Sequence, residues 1–123
     1  MSSAARARLV VVAVASLLAL HAALVLHGIR RNYATFDEPA YVLAGLSHWQ
    51  TGTFDLYRVN PPLPRMIAVL PLLAADAKTD WSTLETWRRF PSARAEFGML
   101  DHFAELNRGR FFELIRLARL STL

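Results

Sequence analysis

Two adjacent acids, Asp37 and Glu38, hold the most chemical promise in this chain. A carboxylate can act as a general base, taking the proton from an attacking hydroxyl. A phosphate leaving group would call for cationic partners, and Arg58 and Arg65 stand downstream to supply them. The same acids also suit a plainer role. Thr35-Phe36-Asp37-Glu38 fits a Thr-x-x-Glu capping box, and acids favour helix N-termini.

Other chemistry has less support. His21 and His27 are six residues apart and do not share a helix face, while His48 and His102 have no spaced partners. A zinc site needs three or four ligands, so no metal site is expected from these residues. The absence of cysteine excludes a thiolate zinc site and a disulfide-stapled secreted domain. No Gly-rich phosphate loop and no Ser-His-Asp arrangement is present. Trp49, Trp81 and Trp87 read as core or interface anchors.

The elements that must position the acids begin with Leu9 to Leu26, an eighteen-residue run with no charged residue and one histidine. At roughly 1.5 Å rise per residue it makes about 27 Å of helix, close to the hydrocarbon thickness of a bilayer. It is apolar all round, whereas a soluble surface helix carries a polar stripe. Arg6 and Arg8 precede it, and Arg30 and Arg31 follow, so the charge rule gives a weak preference for a cytoplasmic N-terminus. A cleaved signal peptide is the rival reading. The run exceeds a typical h-region of about 7–15 residues, which favours an uncleaved anchor. Either way, residues after about 28 lie on the far side of the membrane.

Past Arg30-Arg31, Pro39 suits the first turn of a helix running to about Gln50. Val42, Leu46 and Trp49 give that helix one apolar face, and Gly52 ends it. Residues 53–59 read as extended. The run Asn60-Pro61-Pro62-Leu63-Pro64 reads as neither helix nor central strand, because three prolines remove donors. Met66 to Ala75 is apolar but too short to span, a length typical of interfacial or re-entrant segments. Asp76 to Glu96 is polar, with Trp81, Trp87 and Phe90 suited to the headgroup level. A last helix starts near Asp101 and runs to the end.

The net charge of +4 is carried almost wholly by arginine, with Lys78 the one lysine. Arginine suits flat contacts to phosphate or carboxylate, although coding bias explains the preference more simply. The arginines are scattered along an anchored chain, which argues against nucleic-acid binding.

The run Phe36-Asp37-Glu38-Pro39-Ala40-Tyr41, then Ala44-Gly45, Gly52 and Asn60-Pro61-Pro62-Leu63-Pro64-Arg65, resembles one known arrangement. It is similar to the first extracytoplasmic loop of phospholipid carrier-dependent glycosyltransferases. These are GT-C membrane enzymes of family 39 that include protein O-mannosyltransferases and lipid A aminoarabinose transferases. In that family an Asp-Glu pair follows the first membrane helix, and Pro-Pro-Leu follows about twenty residues later. Glu96-Phe97-Gly98 through Phe111, and Ala118-Arg119-Leu120, resemble the approach to the family's second membrane helix.

The resemblance implies Asp37 as general base or acceptor-positioning residue, with Glu38 as its partner. Tyr41, Arg58, Asn60 and Arg65 become the substrate-binding candidates. It implies a polyprenyl-phosphate sugar donor, an inverting transfer to an acceptor glycan, lipid or protein, and a possible divalent metal. Two departures stand out. Val59-Asn60 replaces the Glu-Lys of the aminoarabinose transferases, and Pro64-Arg65 replaces the Gly-Lys of the mannosyltransferases, so Arg65 could supply the cation.

The expected fold is mainly α and membrane-bound: residues 1–8 cytoplasmic, 9–27 transmembrane, 28–110 an extracytoplasmic loop with amphipathic or interfacial helices, and 111–123 the start of a truncated second membrane helix. The expected location is the inner (plasma) membrane. The family's enzymes carry many spans, so the chain reads as an N-terminal piece, inactive alone. The alternative is a small single-pass protein that binds a partner protein or the membrane surface through its amphipathic segments.

Overall fold

The computed structural model describes residues 2–90 and 94–122. Within them the chain is helical, with no strand, and it divides into two units at Asn32.

The first unit is one helix, α1, Ser3–Arg31. The Ser2 side chain caps it by accepting from the Ala5 N–H at 3.2 Å, and Asn32 leaves it in an extended conformation. The helix outruns the expected 9–27 span because the flanking alanines and arginines are themselves good helix formers. Arg30 and Arg31 in the last turn also complement the negative end of the helix dipole. Leu9, Val12, Leu17, Leu20 and Leu24 are all exposed on the helix surface. Among the described residues, α1 alone is long and apolar enough to cross a membrane.

The second unit, Tyr33–Thr122, is built round α2, Glu38–Thr51. Its bounds match the sequence reading, with Pro39 in the first turn and Gly52 closing the helix in the left-handed region at φ 68°. Its burial does not match. Instead of one apolar face, Pro39, Ala40 and every residue from Val42 to His48 are buried. The small residues Ala40, Ala44, Gly45 and Ser47 let neighbours approach from several sides. Trp49 stays half exposed and donates its indole N–H to the Met66 carbonyl at 2.9 Å.

Helix α3, Pro62–Ala68, packs on α2 and starts inside the proline run that reads as irregular. Prolines are tolerated there because first-turn N–H groups have no helical partner to lose. Pro71 then removes the N–H that would continue the ladder, so a separate short helix, α4, Leu70–Ala74, follows after a break at Val69. Residues 53–59 form no strand. Tyr57 sits at φ 54°, in the left-handed region, and is held from both sides. Its N–H donates to Glu96 Oε2 at 3.2 Å, and its carbonyl accepts from Arg65 at 2.5 Å.

Short helices α5, Leu84–Arg88, and α6, Ala95–Gly98, carry Trp87 against the face of Gly98. The last helical stretch is two helices, α7, Leu100–Leu106, and α8, Phe111–Arg119. Asn107 separates them. Its buried side-chain amide accepts from the Lys78 N–H at 3.0 Å and donates to the Lys78 and Phe103 carbonyls, each at 2.8 Å.

The expected start of a second membrane helix at 111–123 takes a different form. Leu114, Ile115 and Ala118 are buried as α8 packs on α2 and α4, while Glu113 and Arg116 point to solvent. Charges at this spacing make a two-faced helix, and its apolar face covers the core of the second unit. Leu123 and residues 91–93 lie outside the described residues.

Candidate functional site

The two acids nominated by the sequence occupy different environments. Glu38, the first residue of α2, is clamped. Arg119 on α8 reaches it with two hydrogen bonds, Nε to Oε1 at 2.9 Å and Nη2 to Oε2 at 2.6 Å. The Thr35 N–H also donates to Oε2 at 2.7 Å, but α2 starts at Glu38 itself with Asp37 as the cap residue, so the Thr-x-x-Glu spacing does not place the acid in the third helical position of a capping box. Burial pushes the Glu38 carboxyl up, but the Arg119 and Thr35 hydrogen bonds and the Arg119 charge outweigh it. The net shift lies below the ordinary value of 4.5. Glu38 is therefore held ionised and held still.

Asp37 is exposed, and its carboxylate makes no hydrogen bond or ion pair among the described residues. Its backbone carbonyl accepts from the Tyr41 N–H at 2.9 Å, which fixes the residue at the helix start. Of the pair, Asp37 has the carboxylate open to solvent, and Glu38 has the one that ties α2 to α8.

Tyr41 and Glu38 meet along a groove of about 470 Å³ between α2, α3 and α8. Val42, Leu63, Ile67 and Ile115 give it apolar walls, and Arg119 closes one rim. Burial raises the Tyr41 pKa, with the Arg65 charge acting the other way.

Arg65 is not placed as the sequence suggests. Its guanidinium faces inward, 1% exposed. It donates to the backbone carbonyls of Tyr57 and Asn60 and lies 5.4 Å from the Tyr41 ring centre and 5.0 Å from that of Tyr57. This cation is engaged in holding the proline loop and the strained Tyr57, so it is not presented to a phosphate. Asn60 contributes its carbonyl to that arrangement, and its side chain lies at the surface. Arg58 stands apart, paired with Asp55 at 3.3 Å.

The stacking continues beyond Arg65. Arg94 lies over both Tyr57 and Phe97, at 5.1 and 4.8 Å, and Phe97 stacks on Phe36 at 5.0 Å. Arginine planes alternating with rings each contribute on the order of 0.5–2 kcal/mol. Glu96, 3% exposed, pairs with Arg94 and balances the cations. The stack runs from Phe36, beside Asp37, to Tyr41, one helical turn beyond it.

Sequence reasoning missed Arg119, Arg94 and Glu96. Arg119 lies 81 residues from Glu38, and nothing in local spacing links them. Glu96 had one available hint, a carboxylate amid apolar Ala95, Phe97 and Met99. Among the described residues, no three histidines, aspartates or glutamates converge where a metal could be held. Comparison with known protein families, curated proteins and solved structures finds no match to this chain.

Proposed function

We propose that this chain is the N-terminal part of an integral membrane glycosyltransferase. The enzyme moves a sugar from a polyprenyl-phosphate donor to an acceptor on the extracytoplasmic side. The carrying observation is the order and spacing of the apolar helix, Asp37-Glu38 and Pro61-Pro62-Leu63. In this reading Asp37 takes the proton from the acceptor hydroxyl as its oxygen attacks the sugar's anomeric carbon. The donor's phosphate departs with the bonding electrons. Glu38 positions Asp37 through the Arg119 clamp, and Tyr41 lines the groove beside them.

A membrane location is supported by α1 and by the surface of α3 and α4, and the reading puts the N-terminus in the cytoplasm and the residues after α1 outside. Leu63, Ile67, Leu70 and Leu73 are exposed there, and the segment's one charge, Arg65, is turned inside. Such a face suits a bilayer interface.

The test is a transfer assay in membranes carrying the complete enzyme encoded by the reading frame that contains this chain. Asp37→Asn should abolish sugar transfer while expression and Trp fluorescence stay unchanged. Full transfer by that variant would eliminate the assignment. The second reading, a single-pass protein that binds a partner helix, draws on the apolar groove beside Tyr41. A stable complex of the 123-residue form with another membrane protein, lost on Ile67→Glu, would favour it.

A further inference from the structure

A second cavity, of about 220 Å³, lies beside α5 and is lined by Arg58, Arg88 and Arg94. Asp55 and Glu96 are the acids in its wall, so its charged lining is three cations against two anions. Asp55 is already shared. It pairs with Arg58 at 3.3 Å and with Arg88 at 2.6 Å. Arg94 gives its Nε to Glu96, and Arg88 gives its Nη1 to Glu85 just outside the wall, so each arginine has an acid beside it.

Donors remain after these pairings. Among the described residues, Arg58 Nη1, Arg88 Nη2 and both terminal nitrogens of Arg94 make no hydrogen bond. Each side chain is a third to a half exposed, so the donors are reachable. The remaining wall is apolar, with Leu56, Leu84, Trp87 and Phe90. A wall of that kind lowers the local dielectric and strengthens a charge-assisted hydrogen bond from the free donors.

We propose that this cavity binds a phosphate group. Guanidinium planes match phosphate oxygens with paired N–H donors, and among the described residues the three here keep four terminal nitrogens free for such contacts. The volume is several times the roughly 30 Å³ that a water occupies in the liquid, so it admits the phosphate and part of its substituent. Trp87 and Phe90 give that substituent an apolar or ring-stacking surface. The site is separate from the groove beside Glu38, and the assignment holds whether or not the chain serves a glycosyltransferase.

Arginine modification by phenylglyoxal, read by mass spectrometry on the full chain in neutral detergent, tests the assignment without any variant. Inorganic phosphate should protect Arg58 and Arg94 saturably, beyond chloride at equal ionic strength, and leave exposed Arg108 reactive. In phosphatidylcholine nanodiscs, protection that appears only when phosphatidylglycerol is added identifies the source as a lipid headgroup. Protection by free phosphate identifies a soluble ligand. Protection by neither overturns the proposal. Arg94→Gln should weaken phosphate binding roughly tenfold, as loss of one charge-assisted contact predicts. Glu113→Gln, on α8 and paired with Arg110, should leave binding nearly unchanged, and equal weakening by the two would also overturn it.

Discussion

Gly45 sits in the middle of α2 where α3 crosses it, and Gly45→Ala tests that crossing directly. A methyl group there would lie 2.5 Å from the Arg65 carbonyl oxygen and 2.8 Å from a Val69 methyl. Ordinary contact needs roughly 3.4 Å, so α3 would have to withdraw by most of an ångström. The obstacle is backbone, and no rotamer change relieves it. Overpacking of this kind costs about 3 kcal/mol, at the upper end of the usual range. Alanine returns about 1 kcal/mol through its better helix propensity. The net loss is about 2 kcal/mol, which lowers the melting temperature of a unit this size by roughly 8–16 °C. Trp49, Trp81 and Trp87 all belong to the second unit, so tryptophan fluorescence follows its unfolding without interference from α1. Gly109→Ala is the control, because nothing lies within 4 Å of that added methyl. A Gly45→Ala melting temperature within about 2 °C of the parent would show that α2 and α3 are not packed this closely.

Other perturbations separate structural from chemical roles. His48 is buried, donates through Nδ1 to the Thr53 carbonyl at 2.9 Å, and has no partner for Nε2 among the described residues. Burial holds its pKa below 6.5, so the unfolded chain binds a proton that the folded chain refuses. Stability should therefore decline as pH falls below about 6.5, and Glu38, whose pKa is lowered from 4.5, should add a second decline below that value. In acid-unfolding curves His48→Gln should remove the first decline and leave the second. Asn107→Asp should destabilise by about 1–3 kcal/mol in chemical denaturation, although the shapes match, because a carboxylate cannot donate to the Lys78 and Phe103 carbonyls. An unchanged midpoint would contradict that network. The chain has no cysteine, so Ser3→Cys and Thr83→Cys each introduce a unique thiol. A membrane-impermeant maleimide added outside intact cells should label the Thr83 position and spare the Ser3 position, and the reverse pattern would invert the proposed orientation.

Strong local signals were readable in the sequence. The apolar run of α1 and the Pro39 start and Gly52 stop of α2 rest on residues that act on their own neighbourhood. The prolines at 61–64 misled because their effect depends on position: the residues that forbid a helix interior are suited to its first turn. Tyr57 could not be read at all, since its left-handed backbone is imposed by Glu96 and Arg65, both distant in sequence. The candidate site was half legible. Asp37 and Glu38 stood out as a pair, but only the Arg119 contact distinguishes the clamped acid from the open one. Arg65 looked like a ligand for phosphate because sequence does not show which way a side chain turns.

The clamp between Glu38 and Arg119 also sets a timetable for synthesis. The two residues lie 81 positions apart, so at about 5–20 residues per second α2 is made roughly 4–16 s before its last covering helix. Through that interval a helix buried on nearly every side in the finished unit has one flank bare. Its surroundings, whether a lipid surface or a chaperone, must shelter it until residue 119 arrives. A pause in translation just after Gly52 would prolong the exposure, while the same pause after residue 119 would not. The point of commitment for this fold therefore lies near the end of the second unit, far from the helix that forms its centre.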